Sequence, residues 1–152
     1  MFYTSNNFQL YIQCGLKNYN DFSEQFKQSE NIIIKPFINN ISRIYSASDL
    51  VISRAGALAI TELCYMKKAM ILIPFKFAAD NHQKLNAKEI QSKKACIMIE
   101  EKDLNKNKLE KTILELISSK KKLENLENNA KKASYDNCNS IIKKHINNLI
   151  NE

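Results

Sequence analysis

Short apolar segments without strict alternation recur through the first hundred residues, between segments of helical character. The apolar segments predict β-strands at residues 8–13, 31–35, 50–53, 70–74 and 95–99. The segments between them predict helices at residues 21–28, 40–46, 57–66 and 82–92. Such strands, separated by helices, are typical of a parallel sheet covered on both faces. The pattern therefore predicts an α/β fold with a Rossmann-like parallel sheet.

Beyond residue 103 the apolar positions take on a helical period. Leucine and isoleucine recur at Leu109, Ile113 and Leu116 and again at Leu123 and Leu126, at the spacing of an amphipathic helix. Neither a repeat nor a Pro/Gly-rich linker divides the chain. We expect one incomplete Rossmann-like domain at residues 1–103 and a helical tail at residues 104–152 that packs on it.

Composition indicates an ordinary globular protein. The 152 residues are 44% hydrophobic and 26% charged, which suffices for one domain with a real core. Apolar runs are far shorter than a membrane span, and no signal-peptide pattern opens the chain. The four cysteines are widely spaced, so we expect buried, reduced thiols in the cytoplasm, with neither disulfides nor zinc.

The formal charge of +7 raises the question of an anionic partner. The excess is spread along the chain, and only two residues, Arg43 and Arg54, are arginine. There is no aromatic-basic motif or zinc finger, so we expect no nucleic acid partner. A solvated basic surface that tolerates anionic lipid fits this distribution.

The turn between the predicted strand at 50–53 and the helix at 57–66 is the strongest candidate for chemistry. Small residues at Gly56 and Ala57 let a ligand approach the backbone, and the free amides of a helix start attract phosphate. Arg54 could add a charge-assisted contact. The alternative is that the small residues serve only tight strand–helix packing.

Glu62 lies six residues beyond Gly56, or about 9 Å along a helix. A carboxylate at that distance from a bound phosphate suits the two hydroxyls of a ribose. The alternative is an exposed helix glutamate, which is the usual environment of this residue type.

A second cluster of polar residues follows the strand predicted at 70–74, at the sheet edge where such folds bind ligands. Asp80 and Asn81 are expected to cap the next helix, whereas His82 and Gln83 are candidates to contact sugar hydroxyls. Phe37 and Ile38, after the strand at 31–35, offer an aromatic face and backbone groups to a base, with core packing as the equal alternative. We expect no metal site and no catalytic nucleophile, with His145 on the surface and Cys64 packed in the core.

The segments DLVISRAGALAITEL, ILIPF and DNHQKLNA together resemble the C-terminal half of the MurG family, over about residues 8–135. Members transfer GlcNAc from UDP-GlcNAc to a lipid-linked acceptor to make lipid II, through a two-domain GT-B fold and an inverting single displacement. The resemblance implies that this half binds the donor. It assigns the ribose to Glu62, the diphosphate and sugar to Gly56, Ala57 and Leu58, the uracil to Phe37 and Ile38, and the GlcNAc hydroxyls to His82 and Gln83. No cofactor is implied.

The chain departs from that family at its beginning. The acceptor-binding half, the first strand and the glycine loop of the donor half are not found in it, and the candidate general base belongs to the absent half. We therefore expect donor binding with little transferase activity by itself, and a gap or unpaired edge in the sheet. The acceptor would be reached through a separate chain or domain, at the cytoplasmic face of the inner membrane. A non-catalytic UDP-sugar-binding module, a subunit of a two-chain transferase and a remnant without ligand are the alternatives.

Overall fold

The computed structural model describes residues 8–134, 143 and 146–150 of the chain. His145 and Cys138 lie outside the described residues, as do Ile141 and Ile142 of the expected helical tail. The chain forms two compact units, residues 1–44 and residues 45–152. This division differs from the expected boundary between residues 103 and 104.

The first unit contains a two-stranded parallel sheet and the helix that connects its strands. Strand β1 (Leu10–Gln13) pairs in parallel with β2 (Ile32–Lys35), and α1 (Leu16–Gln25) connects them. The prediction for α1, residues 21–28, was wrong at its start by five residues. Gly15 makes the early start possible, because it turns the chain at φ 77° and ψ 157° directly before Leu16.

The boundary between the units falls within α2 (Ile41–Ala47). In the second unit, β3, β4 and β5 form a three-stranded parallel sheet in that order, followed by two helices. The elements are β3 (Leu50–Ser53), α3 (Ala57–Tyr65), β4 (Ala69–Leu72), α4 (His82–Ser92), β5 (Ile97–Met98), α5 (Lys106–Ile117) and α6 (Lys120–Ala133).

The parallel α/β architecture predicted from the apolar segments is confirmed, since every described strand pair is parallel and helices connect the strands. The strands pair in two separate ladders, β1–β2 and β3–β4–β5, where one sheet with a gap or an unpaired edge was expected. The ranges of β3 and α4 agree with the sequence prediction to the residue. Strand β5 is only two residues long, against five expected.

Strand β4 is the centre of the core in the second unit, and all four of its residues are buried. Met70 and Leu72 pack into one cluster with α3 and α4, while Ala69 and Ile71 pack into a second cluster with α5. This segment is a continuous apolar run because a central strand is buried on both faces.

Helices α5 and α6 belong to the same unit as β3–β5. Each begins with a side-chain cap: the Asn105 side chain accepts from the amide of Lys108, and the Ser119 side chain accepts from the amide of Lys122. Each cap satisfies an otherwise free amide of the first turn. Helix α6 contributes to both core clusters, through Ala130 and Ala133 in one and Leu126 in the other.

Candidate functional site

The candidate site of the second unit lies at the carboxyl ends of its three strands. Because β3, β4 and β5 are parallel, the segments that follow them emerge at the same edge of the sheet. The turn before α3, the segment between β4 and α4, and the residues after β5 meet there. Ligands of open α/β sheets bind at this edge.

The start of α3 is open and has no side-chain cap. Gly56 occupies the N-cap position at φ −68° and ψ 143°, and none of the side chains that the structure describes bonds the amides of the first turn. A Cβ built on Gly56 would meet no atom within 4 Å, and Leu58 beside it is 73% exposed. Neither the backbone conformation nor the surrounding protein requires glycine here. The free amides and open space suit an anionic ligand at this helix end.

Glu62 is a half-buried carboxylate on the same helix. It follows Leu58 by four positions, so both side chains lie on one side of α3. Within residues 8–134 its side chain forms no ion pair and no hydrogen bond. Burial and, secondly, the negative charge of Glu62 raise the pKa of Tyr45. The charge of Glu62 thus acts on Tyr45, while the Glu62 oxygens keep their capacity to accept hydrogen bonds.

His82 and Gln83 begin α4, and each already uses one side-chain atom within the protein. His82 Nδ1 donates to the carbonyl oxygen of Ala79 at 2.7 Å; since a carbonyl can only accept, Nδ1 carries the proton, and in the neutral ring Nε2 is left as an acceptor. Gln83 Oε1 accepts from the amide of Phe75 at 3.0 Å, which leaves its NH₂ group as a donor. Together they offer one acceptor and one donor.

The expected helix cap at Asp80 or Asn81 was wrong. Asn81 does occupy the N-cap position of α4, but its side chain forms no cap hydrogen bond. Both residues have positive φ, 49° and 52°, and the chain reaches α4 through this left-handed turn. Typical N-cap residues are instead extended, which lets the side-chain oxygen reach the second or third amide of the helix.

Asn86, which the sequence placed in the DNHQKLNA segment without a role, has a structural role. Its Nδ2 donates to the carbonyl oxygen of Ala55 at 3.2 Å, and Ala87 next to it is fully buried. Gln83 and Asn86 are three positions apart, so one side of α4 holds both the segment after β4 and the turn after β3. That spacing is the signal by which the pair could have been found.

Arg54 is engaged by protein groups. Its Nη1 donates to Glu101 Oε1 and, at 3.3 Å, to the carbonyl oxygen of Ile73, and its guanidinium lies 5.5 Å from the centre of the Phe75 ring. Glu101 also accepts from the amide of Lys76 at 3.3 Å. The Arg54 hydrogen bond is the main reason that the pKa of Glu101 is lowered. Glu101 had no sequence signal, because it lies 47 residues from Arg54 in the chain.

Phe37 and Ile38 belong to the first unit and follow β2. The Phe37 ring is 66% exposed, which argues against the core-packing alternative for that residue. The amide of Ile38 donates to Gln13 Oε1 at 2.9 Å. This amide is therefore already paired.

The described part of the chain has neither a cluster of metal ligands nor a membrane-spanning helix. No group of three or more His, Cys, Asp or Glu side chains there is arranged to hold a metal ion. None of the described helices is both long and apolar enough to span a membrane.

Comparison with known proteins gives a consistent result. Residues 2–144 match the glycosyltransferase family 28 C-terminal domain. A protein of Finegoldia magna is 35% identical over 139 residues, covering 90% of this chain and 38% of its own length. One of Thermodesulfovibrio yellowstonii is 37% identical over 123 residues, covering 80% and 34%. Both are named UDP-N-acetylglucosamine--N-acetylmuramyl-(pentapeptide) pyrophosphoryl-undecaprenol N-acetylglucosamine transferase. The chain thus spans less than two fifths of either relative.

Two solved structures share the fold. The crystal structure of Acinetobacter baumannii MurG matches with a TM-score of 0.80 and 25% identity, over 92% of this chain and 43% of that one. The glycotransferase of kitacinnamycin matches with a TM-score of 0.68 and 17% identity, over 94% and 36%. The second likeness concerns the fold alone.

Proposed function

This chain belongs to the family of glycosyltransferase family 28 C-terminal domains, and from that premise we propose that it binds UDP-GlcNAc as the donor part of an inverting GlcNAc transferase of lipid II synthesis. The observation that carries the proposal is the pairing of an open, uncapped helix start at Gly56 with the unpaired carboxylate of Glu62 on the exposed side of the same helix. Glu62 follows Gly56 by six residues, or about 9 Å along the helix; the free amides suit a phosphate, and the carboxylate is left to accept from a ribose.

In the proposed complex, the amides at Ala57 and Leu58 receive the diphosphate. Free helix-start amides and the positive end of the helix dipole stabilise its charge, both in the bound donor and in the UDP that leaves. Glu62 accepts hydrogen bonds from the two ribose hydroxyls. Because hydrogen bonds to an ionised acceptor are strong and directional, this contact fixes the nucleoside relative to the diphosphate.

His82 and Gln83 contact the GlcNAc hydroxyls in this proposal. A hydroxyl both donates and accepts, so the free Nε2 of His82 and the NH₂ group of Gln83 provide a complementary pair of partners. Phe37 is proposed to cover the uracil, since an exposed ring is suited to stack on a base. Ile38 is proposed to meet the edge of the uracil through its carbonyl oxygen, because its amide is bound to Gln13.

The acceptor is proposed to be a lipid-linked pyrophosphoryl sugar, as in the names of the relatives, reached through a separate acceptor-binding domain or chain. An undecaprenol-linked acceptor lies at the membrane, so the proposed place of work is its cytoplasmic face. In a single displacement the acceptor hydroxyl attacks the anomeric carbon while the bond to the diphosphate breaks, and the general base comes from the acceptor part.

Titration calorimetry with UDP and UDP-GlcNAc tests the proposal. Glu62→Ala should weaken UDP binding by about 2–4 kcal/mol, or roughly thirtyfold to nearly a thousandfold, because it removes two hydrogen bonds to a charged group. Glu110→Ala, which removes a carboxylate on α5, should leave the affinity unchanged. Equal UDP affinity of the wild type and Glu62→Ala would refute the assignment.

A transfer assay separates an enzyme subunit from a non-catalytic binding module. The full chain is mixed with the acceptor-binding domain of a relative, lipid-linked acceptor and radiolabelled UDP-GlcNAc. Label appearing in the lipid fraction supports the transferase. Saturable UDP-GlcNAc binding without any lipid product favours the non-catalytic module.

A further inference from the structure

Three neighbouring strand ends of the second unit are joined by a single carboxylate. Glu101, after β5, accepts from the Arg54 side chain, after β3, and from the amide of Lys76, after β4. Arg54 adds a second bond across the sheet edge to the carbonyl oxygen of Ile73. None of these three contacts is local in sequence, so together they fix the relative positions of segments that the chain itself leaves independent.

The segment between β4 and α4 is held at two consecutive amides by side-chain oxygens. Gln83 Oε1 accepts from Phe75 N at 3.0 Å, and Glu101 Oε2 accepts from Lys76 N at 3.3 Å. The guanidinium of Arg54 lies over the ring of Phe75. This arrangement decides which end of the Gln83 amide is available, because the oxygen is committed to Phe75 and the NH₂ group is left for a ligand.

We infer that Glu101 is a positioning residue for the sugar end of the donor site, acting through Arg54 and the Phe75–Lys76 backbone on Gln83. This inference rests on the proposed function. Arg54 is then a structural partner of Glu101, in place of the direct ligand contact expected from the sequence. The diphosphate and ribose contacts depend on α3, to which Glu101 forms no hydrogen bond or ion pair among the described residues.

Glu100 offers a matched control on the neighbouring position. Its carboxylate also pairs with a cation, Lys84 on α4, at 2.8 Å. In the described structure it accepts from no backbone amide of the segment between β4 and α4. Removing Glu100 therefore removes an equal charge and a comparable ion pair without releasing Phe75 or Lys76.

The first experiment compares UDP with UDP-GlcNAc by calorimetry on the full chain. Glu101→Ala should weaken UDP-GlcNAc binding about tenfold and UDP binding less than twofold. The reason is that Glu101 positions Gln83, which contacts the sugar, and positions no group that contacts the UDP part. Glu100→Ala should change neither affinity by more than about twofold. A loss of folding would instead lower the active fraction for both ligands equally, which calorimetric stoichiometry reports separately from affinity.

A double-mutant cycle separates positioning from direct contact. Arg54→Ala should reproduce the selective loss for UDP-GlcNAc, and Arg54→Ala with Glu101→Ala should be no worse than either single variant. A large loss of UDP affinity in Arg54→Ala alone would show a phosphate contact and overturn the positioning role. So would wild-type UDP-GlcNAc affinity in Glu101→Ala.

Amide hydrogen exchange of the ligand-free protein distinguishes failure of this inference from failure of the proposed function. Glu101→Ala should accelerate exchange at Phe75 and Lys76 while leaving the amides of β4 protected. Unchanged exchange at those two residues would refute the inference whether or not a ligand binds. If Glu101→Ala accelerates this exchange but the wild type binds neither UDP nor UDP-GlcNAc, the proposed function and the sugar-positioning role are refuted, and Glu101 has only a structural role.

Discussion

Replacing each of the chain's two glycines by alanine separates a glycine that the protein requires from one that a ligand would require. Gly15 has φ 77° and ψ 157°, a conformation essentially restricted to glycine, whereas Gly56 has φ −68° and ψ 143°, which any residue adopts. A Cβ at either position would meet no protein atom within 4 Å. The two substitutions therefore differ in backbone strain and not in steric fit.

The expected stabilities follow from this difference. Gly15→Ala should lower the free energy of unfolding by about 1–3 kcal/mol, the cost of holding a non-glycine residue in that region. For Gly56→Ala, alanine is a poorer N-cap than glycine by up to about 1 kcal/mol. The loss of unfolded-state freedom recovers about 0.4–1 kcal/mol. The net change at Gly56 should therefore lie between about 1 kcal/mol of stabilisation and about 0.6 kcal/mol of destabilisation.

Ligand affinity should depend on Gly56, the glycine whose replacement has the smaller effect on stability. A methyl group at Gly56 would occupy the space through which a diphosphate approaches the free amides of α3, so UDP should bind at least about tenfold more weakly, or about 1.4 kcal/mol. Urea denaturation followed by circular dichroism gives the stabilities, and titration calorimetry gives the UDP affinities. If Gly56→Ala binds UDP as the wild type does, the diphosphate does not lie at this helix start, and the proposed donor site is wrong.

Core packing, thiol chemistry and pH provide three more tests. Leu63→Ala, at a fully buried position of α3, should lower the free energy of unfolding by about 2–5 kcal/mol, as measured by urea denaturation. Leu58→Ala, at an exposed position of the same helix, should lower it by less than about 0.5 kcal/mol. Equal losses would contradict the burial of Leu63. Burial raises the pKa of the Cys96 thiol to about 12. Peptide mapping after alkylation at pH 8 should therefore find Cys96 modified only in denaturant. Rapid alkylation of Cys96 in the folded protein would be inconsistent with the structure. The Arg54 hydrogen bond lowers the pKa of Glu101, so the ionised carboxylate stabilises the fold above the ordinary pKa of 4.5, and this stabilisation is lost as the pH falls through the lower pKa of the folded state. The difference in unfolding free energy between wild type and Glu101→Gln should therefore shrink below pH 4.5. A difference that stays constant with pH would exclude the ion pair as its source.

Local sequence patterns determined the elements and their order. The apolar run at β3 and the polar-then-periodic segment at α4 predicted both ranges to the residue, because burial and backbone preference act over a few neighbouring positions. The uncapped small-residue turn before α3 could also be found this way. The start of α1 was missed because the turn at Gly15 outweighed the weak pattern of the residues that follow it.

Only the tertiary structure decided which side chains are committed to the protein. Arg54, for which the sequence indicated a ligand contact, bonds Glu101, while Gln83 and Asn86 hold Phe75 and Ala55. These partners are 8 to 47 residues apart, and they meet because parallel strands bring their carboxyl ends to one edge. A residue's own neighbours in sequence set its element, but its hydrogen-bond partners depend on how separate elements stack, which no local pattern records.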